Sequence, residues 1–126
     1  MNKDNNRVNW ALDQSLIKAA TLSHEYVTLE HLLYVLMDEK DVQELLSKMS
    51  CSLSDIIRDL EENLAQRDDI TVEKLDDMGP RQTLALDCVF NRAVTQVIFT
   101  GRKQMFCKDL IVSLLSEKSS HAAYIL

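Results

Sequence analysis

Helix-breaking residues are almost absent from this chain. Its 126 residues include two glycines and one proline, at Gly79, Gly101 and Pro80. Leucine, alanine, glutamate, lysine, glutamine and methionine, which all favour helices, are plentiful. A chain of this length fits one domain that buries roughly two-thirds of the surface exposed by its unfolded form. We therefore predict an all-α fold.

The clearest helical pattern lies in the second half of the chain. Its apolar residues step alternately by three and one positions, which places them in one wide stripe on a helix: Leu86, Val89, Phe90, Ala93, Val94, Val97 and Ile98. Thr83 is a suitable N-cap for this helix, and Gly101 can end it in a left-handed conformation. Positions 74 residues earlier form a similar stripe of smaller side chains: Leu12, Ser15, Leu16, Ala19, Ala20, Ser23 and His24.

A second apolar helix follows each stripe. The two helices share a four-residue pattern, which consists of Leu32, Leu33, Leu36 and Met37 in the first half and of Leu110, Ile111, Leu114 and Leu115 in the second. Such self-similarity is typical of a duplicated helical unit. After the first copy we expect a short helix from Val42 to Met49 and another from Leu53 to Leu64, with Ser52 and Asp55 as its capping box.

The duplication divides the chain into two pseudo-symmetric repeats of a four-helix unit. Repeat one covers about residues 8–66 and repeat two covers residues 83–126, so the second lacks a counterpart of the last helix, residues 52–66. Residues 67–82 lie between the repeats and carry five acidic side chains. We expect a solvated surface linker there rather than a site for a basic partner.

Charge and cysteine content exclude several classes of protein. The formal net charge of -6 disfavours nucleic-acid binding, because that affinity comes largely from clustered Lys and Arg. The three cysteines, Cys51, Cys88 and Cys107, are far apart, which indicates reduced thiols rather than a disulfide framework. No apolar run reaches membrane-spanning length and the N-terminus is polar. These features indicate a soluble cytoplasmic protein with neither nucleic-acid nor membrane partners.

The segment HEYVTLEHLL, residues 24–33, contains two histidines and two glutamates. Thr28 precedes an apolar run, so its hydroxyl is expected to accept a hydrogen bond from the amide of residue 30 or 31 as an N-cap. Glu25 and Glu30 are then exposed acids near a corner. His24 and His31 are seven residues apart, whereas a helical HExxH zinc site needs histidines four apart. A folded-back metal site with Glu25 or Glu30 as a third ligand is the alternative interpretation.

Motifs of other enzymes are missing from the sequence. It has no GxSxG elbow, no GxxxxGK[ST] loop and no GxGxxG loop. Cys107 opens a predicted helix, where the helix dipole can lower a thiol pKa, but a half-buried structural cysteine is the favoured interpretation. We predict no catalytic residue, no metal and no cofactor for this domain.

These residues resemble a known family. The run Thr28 to Leu33 (TLEHLL), which follows Ala19-Ala20 and His24-Glu25-Tyr26, is similar to the first repeat of the N-terminal domain of Clp unfoldases, the hexameric AAA+ ATPases. Segments of repeat two resemble the ClpA branch more than ClpB or ClpC: Thr83-Leu84, Asn91-Arg92-Ala93-Val94, Gly101-Arg102, Ser116-Glu117 and Ala122-Ala123-Tyr124. The resemblance covers roughly residues 8–126.

The resemblance implies a docking module that is tethered to an ATPase ring and hydrolyses no ATP itself. ATP and Mg are then expected only in the ATPase modules of the parent protein. The module is implied to receive substrates and a ClpS-like adaptor, which brings proteins with destabilising N-terminal residues, and the parent delivers them to a ClpP-like peptidase. The isolated domain is expected to be monomeric.

The adaptor-binding residues implied by the resemblance are Glu25, Glu30 and Thr83, with Tyr26 and Val27 as apolar neighbours and Thr28 as a structural cap. Acids at an exposed corner can pair with Lys or Arg of an adaptor. On this basis Glu30→Lys is expected to weaken adaptor binding and to leave stability little changed.

Two positions depart from the family pattern. Cys88 stands where the ClpA-like surface has an arginine, which weakens the case for an identical adaptor contact. Phe106 replaces the capping threonine in repeat two, so we expect that copy to have lost its cap. Two alternatives to the docking module remain, namely a free-standing helical interaction protein of the same fold and a small metal- or thiol-dependent enzyme.

Overall fold

The chain folds into helices joined by short connections. In a computed structural model the described residues are 3–67, 70–73, 79–102 and 105–116, with side chains described from Val8 onward. The elements in chain order are α1 (Lys3–Thr21), β1 (Tyr26–Val27), α2 (Leu29–Leu36), α3 (Lys40–Lys48), α4 (Leu53–Ala65), β2 (Arg81–Gln82), α5 (Leu84–Phe99) and α6 (Cys107–Leu115). The predicted all-α class is confirmed.

The first helices of the two repeats, α1 and α5, end in the same backbone arrangement. Ser23 follows the end of α1 with φ 58° and Gly101 follows the end of α5 with φ 75°, so both lie in the left-handed region. In each case the next residue donates its N–H to a carbonyl five positions back, from His24 to Ala19 (2.9 Å) and from Arg102 to Val97 (3.2 Å). This is the Schellman arrangement of a helix C-terminus. The predicted end of α5 at Gly101 is confirmed.

α3 and α4 complete repeat one at the places predicted from the apolar spacing. The counterpart of α3 in repeat two would fall near residues 118–126. Those residues, and with them the prediction that repeat two lacks its last helix, lie outside the described part of the chain.

One apolar core extends through both repeats. Residues from all six described helices belong to a single buried cluster, whose least exposed members include Ala11, Leu32, Leu36, Leu46, Leu60, Leu86, Val89, Leu110 and Leu114. Polar contacts support the same packing. The Ser113 hydroxyl donates to the Val89 carbonyl (2.7 Å) between α6 and α5, and the Lys108 N–H donates to Asp41 Oδ2 (3.0 Å) between α6 and α3.

The helix starts differ in how they are capped. Thr83 accepts the N–H of Leu86 (3.2 Å), as predicted for the N-cap of α5. The prediction of a Ser52–Asp55 capping box is wrong, because Ser52 occupies the N-cap but its side chain makes no cap hydrogen bond within the described residues. The prediction that α6 has lost its cap is wrong in part, because the Phe106 N–H donates to Asp109 Oδ2 (2.8 Å).

A short parallel β-ladder was not predicted. Tyr26 pairs with Arg81 and Val27 with Gln82, and an antiparallel bridge joins His24 to Thr71. The expectation of a solvated linker is therefore wrong in part. Ile70 and Pro80 are buried, and Ile70, Val72 and Arg81 are hydrogen-bonded to repeat one, whereas the exposed residues of the described linker are Thr71, Glu73, Arg81 and Gln82. Four of the acids that define the linker, Asp68, Asp69, Asp76 and Asp77, lie outside the described residues.

No helix in the described ranges combines the length and the apolar character needed to cross a lipid bilayer.

Candidate functional site

Two buried histidines form the centre of the corner between α1 and α2. His24 and His31 are 2% and 0% exposed, and Nδ1 of His24 lies 2.8 Å from Nε2 of His31. Nδ1 of His31 accepts the N–H of Thr28 (2.9 Å) and lies 2.8 Å from the Thr28 hydroxyl. A neutral imidazole has one acceptor and one donor nitrogen, so His31 carries its proton on Nε2 and donates it to His24.

The surroundings of His31 favour its neutral form. Burial, together with the smaller effects of His24, Arg67 and Lys18, lowers the pKa of His31 to about 3. Each of these groups adds to the cost of a proton on this ring. The histidine pair therefore serves the architecture of the corner at neutral pH.

Thr28 stands at the N-cap of α2, as predicted, and forms a capping box with His31. Its hydroxyl also lies 2.8 Å from Nδ1 of the His31 ring. The bond that closes this cap runs from the Thr28 backbone to the His31 side chain at the third helical position, which is the place of Glu or Gln in a capping box.

The two predicted acids differ in exposure. Glu25 is exposed, as expected. Glu30 is 6% exposed, and its carboxylate lies 3.7 Å from the guanidinium of Arg67, so the expectation of an exposed acid is wrong for Glu30. The cause is the return of the chain after α4, which places Arg67 against the first turn of α2.

The ladder brings the other predicted residues together. The Thr83 N–H donates to the Val27 carbonyl (3.1 Å), and Tyr26 lies opposite Arg81. Tyr26 is 39% exposed, whereas Val27 is buried in the core and its side chain is unavailable to a partner. The exposed residues of the ladder and its flank, Glu25, Tyr26, Arg81 and Gln82, are called the corner surface below.

An apolar groove between α1 and α5 was missed in the sequence. It encloses about 350 Å³, and its lining consists of Val8, Asn9, Phe90, Val94, Val97, Ile98, Arg102 and Met105. The predicted stripe of α5 contains the signal, because the stripe is too wide for one contact face. Leu86, Val89, Ala93 and Val97 are buried, while Phe90 and Val94 are half-buried and Ile98 is 69% exposed.

The sequence and the fold were compared with known proteins. The model of the Clp repeat (R) N-terminal domain matches residues 3–126. The chain belongs to this family. A ClpA homolog protein of Fuscovulum blasticum is 30% identical over 116 residues, which is 92% of this chain and 15% of that relative.

Solved Clp N-domains share the fold. The Hsp104 N-terminal domain from Candida albicans has a TM-score of 0.80 at 13% identity, over 94% of this chain and 75% of the other. The N-domain of ClpV from Vibrio cholerae has a TM-score of 0.78 at 19% identity, over 95% and 72%. A complex of the ClpV N-domain with a VipB peptide has a TM-score of 0.73 at 18% identity, over 94% and 73%.

The alternative of a metal enzyme gains no support at the histidines of this Clp N-domain. Both ring nitrogens of His31 are already hydrogen-bonded, to Thr28 and to His24. In the described residues, the ligand atoms that converge within 4.8 Å of one another belong to Glu39, Asp41 and Cys107. Asp41 already accepts the Lys108 N–H there, which gives its carboxylate a structural role at the start of α6.

The cysteines of this Clp N-domain occupy different environments. Cys107 is 3% exposed at the first position of α6 and belongs to the apolar core cluster. Cys88 is exposed on α5 and Cys51 is half-buried. Burial of Cys107 agrees with the structural interpretation and gives a substrate no access to its thiol.

Proposed function

We propose that this chain is the docking domain of a ClpA-like AAA+ unfoldase, which binds protein substrates and an adaptor and hydrolyses no ATP itself. The observation that carries the proposal is the apolar groove between α1 and α5. The groove leaves half-buried and exposed apolar side chains of one helix in contact with water, and exposed patches of this kind mark sites of protein interaction.

The family supports a protein partner. The complex of the ClpV N-domain with a VipB peptide is an example of a Clp N-domain that binds a protein segment. This chain spans 15% of the length of its ClpA-homologous relative, which fits a module of a longer protein. In this proposal the longer protein is cytoplasmic and carries the ATPase modules, which bind ATP and Mg. A ClpP-like peptidase is its partner.

A pair of variants on α5 tests the groove. Ile98→Glu is expected to weaken binding of a fluorescently labelled, reduced and carboxymethylated α-lactalbumin by at least about fivefold, because the new carboxylate must lose water to enter an apolar contact. The measurement is fluorescence anisotropy with the isolated chain.

Leu84→Glu is the matched control. Leu84 is a 79% exposed apolar residue on the same helix, about 21 Å from Ile98 along the axis and outside the groove lining. This variant is expected to bind like the parent chain. Equal losses in both variants, or no loss in Ile98→Glu, would contradict docking in the groove.

The adaptor is proposed to bind the corner surface. Glu25 and Tyr26 supply an exposed carboxylate beside an exposed aromatic ring, a combination suited to a partner with Lys or Arg around an apolar centre. Arg81 and Gln82 extend this surface with polar groups. Val27 and Glu30 contribute to it only by holding the backbone, because both are buried.

Charge reversal at the corner tests the adaptor site. Glu25→Lys is expected to weaken binding of a purified ClpS-like adaptor about 5- to 30-fold, as measured by isothermal titration calorimetry. Glu62→Lys, at an exposed acid on α4, makes the same change in net charge and is expected to retain the parent affinity. If both variants lose affinity alike, the effect is one of total charge and the corner is not the site.

A further inference from the structure

We propose that the His24–His31 pair is a proton-sensitive latch, which holds the β-ladder and the corner surface in place at neutral pH and releases them in mild acid while the helices stay folded. The latch concerns the structure of the corner itself. It therefore stands or fails independently of whether an adaptor or a substrate docks.

The hydrogen bonds of the pair leave no place for another proton. Nδ1 of His31 accepts from Thr28, and its Nε2 donates to Nδ1 of His24. Both acceptor nitrogens of the pair are thus occupied, and His24 carries its own proton on Nε2. An added proton must take the place of one of these two buried hydrogen bonds, which leaves a donor unsatisfied in the interior.

Repeat two carries a carboxylate at the helix position that His31 occupies in repeat one. Asp109 lies 78 residues after His31 and occupies the same third position of the helix. Its carboxylate accepts the Phe106 N–H (2.8 Å) and pairs with Arg102 (2.8 Å). In repeat one the same position carries an imidazole, whose ordinary pKa in water is near 6.5. Because the surroundings of the buried ring lower the pKa of His31 to about 3, a proton binds near neutrality only when the corner opens and exposes the ring.

The charged groups around the pair oppose protonation. Lys18 of α1 and Arg67 after α4 both act on His31, and each lowers its pKa. Glu30 of α2 is the nearby buried acid, and it is already paired with Arg67 at 3.7 Å. Glu25, which precedes β1, and Arg81 of β2 are exposed. A charged imidazole would thus lie among cations in a dry site, and it reaches water only if the corner opens.

The β-ladder that would open is short. Backbone hydrogen bonds between the corner and the described residues 70–73 and 79–83 include those from Glu25 to Ile70 (2.7 Å), Val72 to Ser23 (2.9 Å), Arg81 to Glu25 (3.0 Å) and Thr83 to Val27 (3.1 Å). Two-residue strands give little stability of their own. Since local opening costs less than global unfolding, the corner can release while the helical core persists.

Amide hydrogen exchange tests the latch. In the native chain, the protection of the N–H groups of Glu25, Val72, Arg81 and Thr83 is expected to fall about 15-fold between pH 6.5 and 5.0 after correction for intrinsic exchange, as uptake of one proton by an exposed imidazole that titrates near pH 6.5 predicts. Circular dichroism at 222 nm is expected to stay unchanged over the same range. Constant protection of these four amides would overturn the proposal.

Replacement of both rings supplies the matched variant. In His24→Gln/His31→Gln the amide at position 31 can still accept the Thr28 N–H and donate to its neighbour, as glutamine does in a capping box, but neither side chain titrates. Its ladder protection is expected to be independent of pH, whereas His121→Gln, which changes the remaining histidine, is expected to behave like the native chain. A pH dependence in the double variant equal to that of the native chain would overturn the proposal.

A measurement on the native chain decides the matter even if the double variant does not fold. The ¹⁵N shifts of the imidazoles are expected to show both rings protonated on Nε2 alone at pH 7. On acidification, their protonation is expected to follow the same curve as the loss of ladder protection. Protonated rings together with an intact ladder would overturn the latch.

Discussion

Glu30→Lys is expected to lower the free energy of unfolding by about 3 kcal/mol, because a buried pair loses one partner and gains a like charge. Glu30 is 6% exposed and lies 3.7 Å from Arg67, which is itself largely covered. Lysine at this position would place two cations side by side, within the field that already disfavours charge on His31. Urea unfolding followed by circular dichroism measures the change.

Glu25→Lys is the matched control for this prediction. It makes the same substitution five residues earlier at an exposed position, so its free energy of unfolding is expected to stay within about 0.5 kcal/mol of the parent. A Glu30→Lys variant as stable as Glu25→Lys would show that the contact with Arg67 contributes nothing. The structure thus reverses the expectation that charge reversal at Glu30 leaves stability unchanged.

The helices were predictable because their signals are local. The apolar residues of α5 recur in alternating steps of three and one, and α2 and α6 share a four-residue apolar pattern. Both signals depend only on neighbouring residues. The end of α5 at Gly101 was equally readable, since glycine favours the left-handed region. Ser23 and Ser50 take the same conformation just after α1 and α3, and serine carries no such preference.

The corner was not predictable because its contacts are distant in the sequence. Two-residue strands leave no periodic pattern, and the pairing of Tyr26 with Arg81 joins positions more than fifty residues apart. The burial of Glu30 depends on Arg67 in the same way. A readable signal did exist at His31, which occupies in repeat one the position of the capping acid Asp109 in repeat two. Comparison of the two repeats at that position would have indicated a structural role.

The candidate docking residues were predictable only in part. The resemblance named Glu25, Tyr26 and Thr83 without indicating that they lie together, and the ladder brings them to one corner because it joins residues 26–27 to residues 81–82. The resemblance could not distinguish the exposed Tyr26 from the buried Val27. The groove was missed because periodicity alone does not show how much of a stripe a neighbouring helix covers.

The shared core leads to a second large effect. Leu110→Ala on α6 is expected to lower the free energy of unfolding of the whole chain by about 2 to 5 kcal/mol, since a fully buried leucine leaves a cavity when truncated. Leu32→Ala, at the equivalent position of α2, is expected to have an effect of the same size. Because both side chains belong to one cluster, each variant is expected to retain a single unfolding transition.

Val112→Ala separates this cavity effect from any change in the helix propensity of α6. Val112 lies two residues from Leu110 on the same helix but is 46% exposed, so its truncation is expected to change the free energy by no more than about 0.5 kcal/mol. If Leu110→Ala instead splits the urea transition in two, with α2 amides keeping their protection from exchange, the repeats are separate folding units. A single transition shifted alike by Leu32→Ala and Leu110→Ala shows that neither repeat folds without the other, because each buries its apolar face against the same set of side chains.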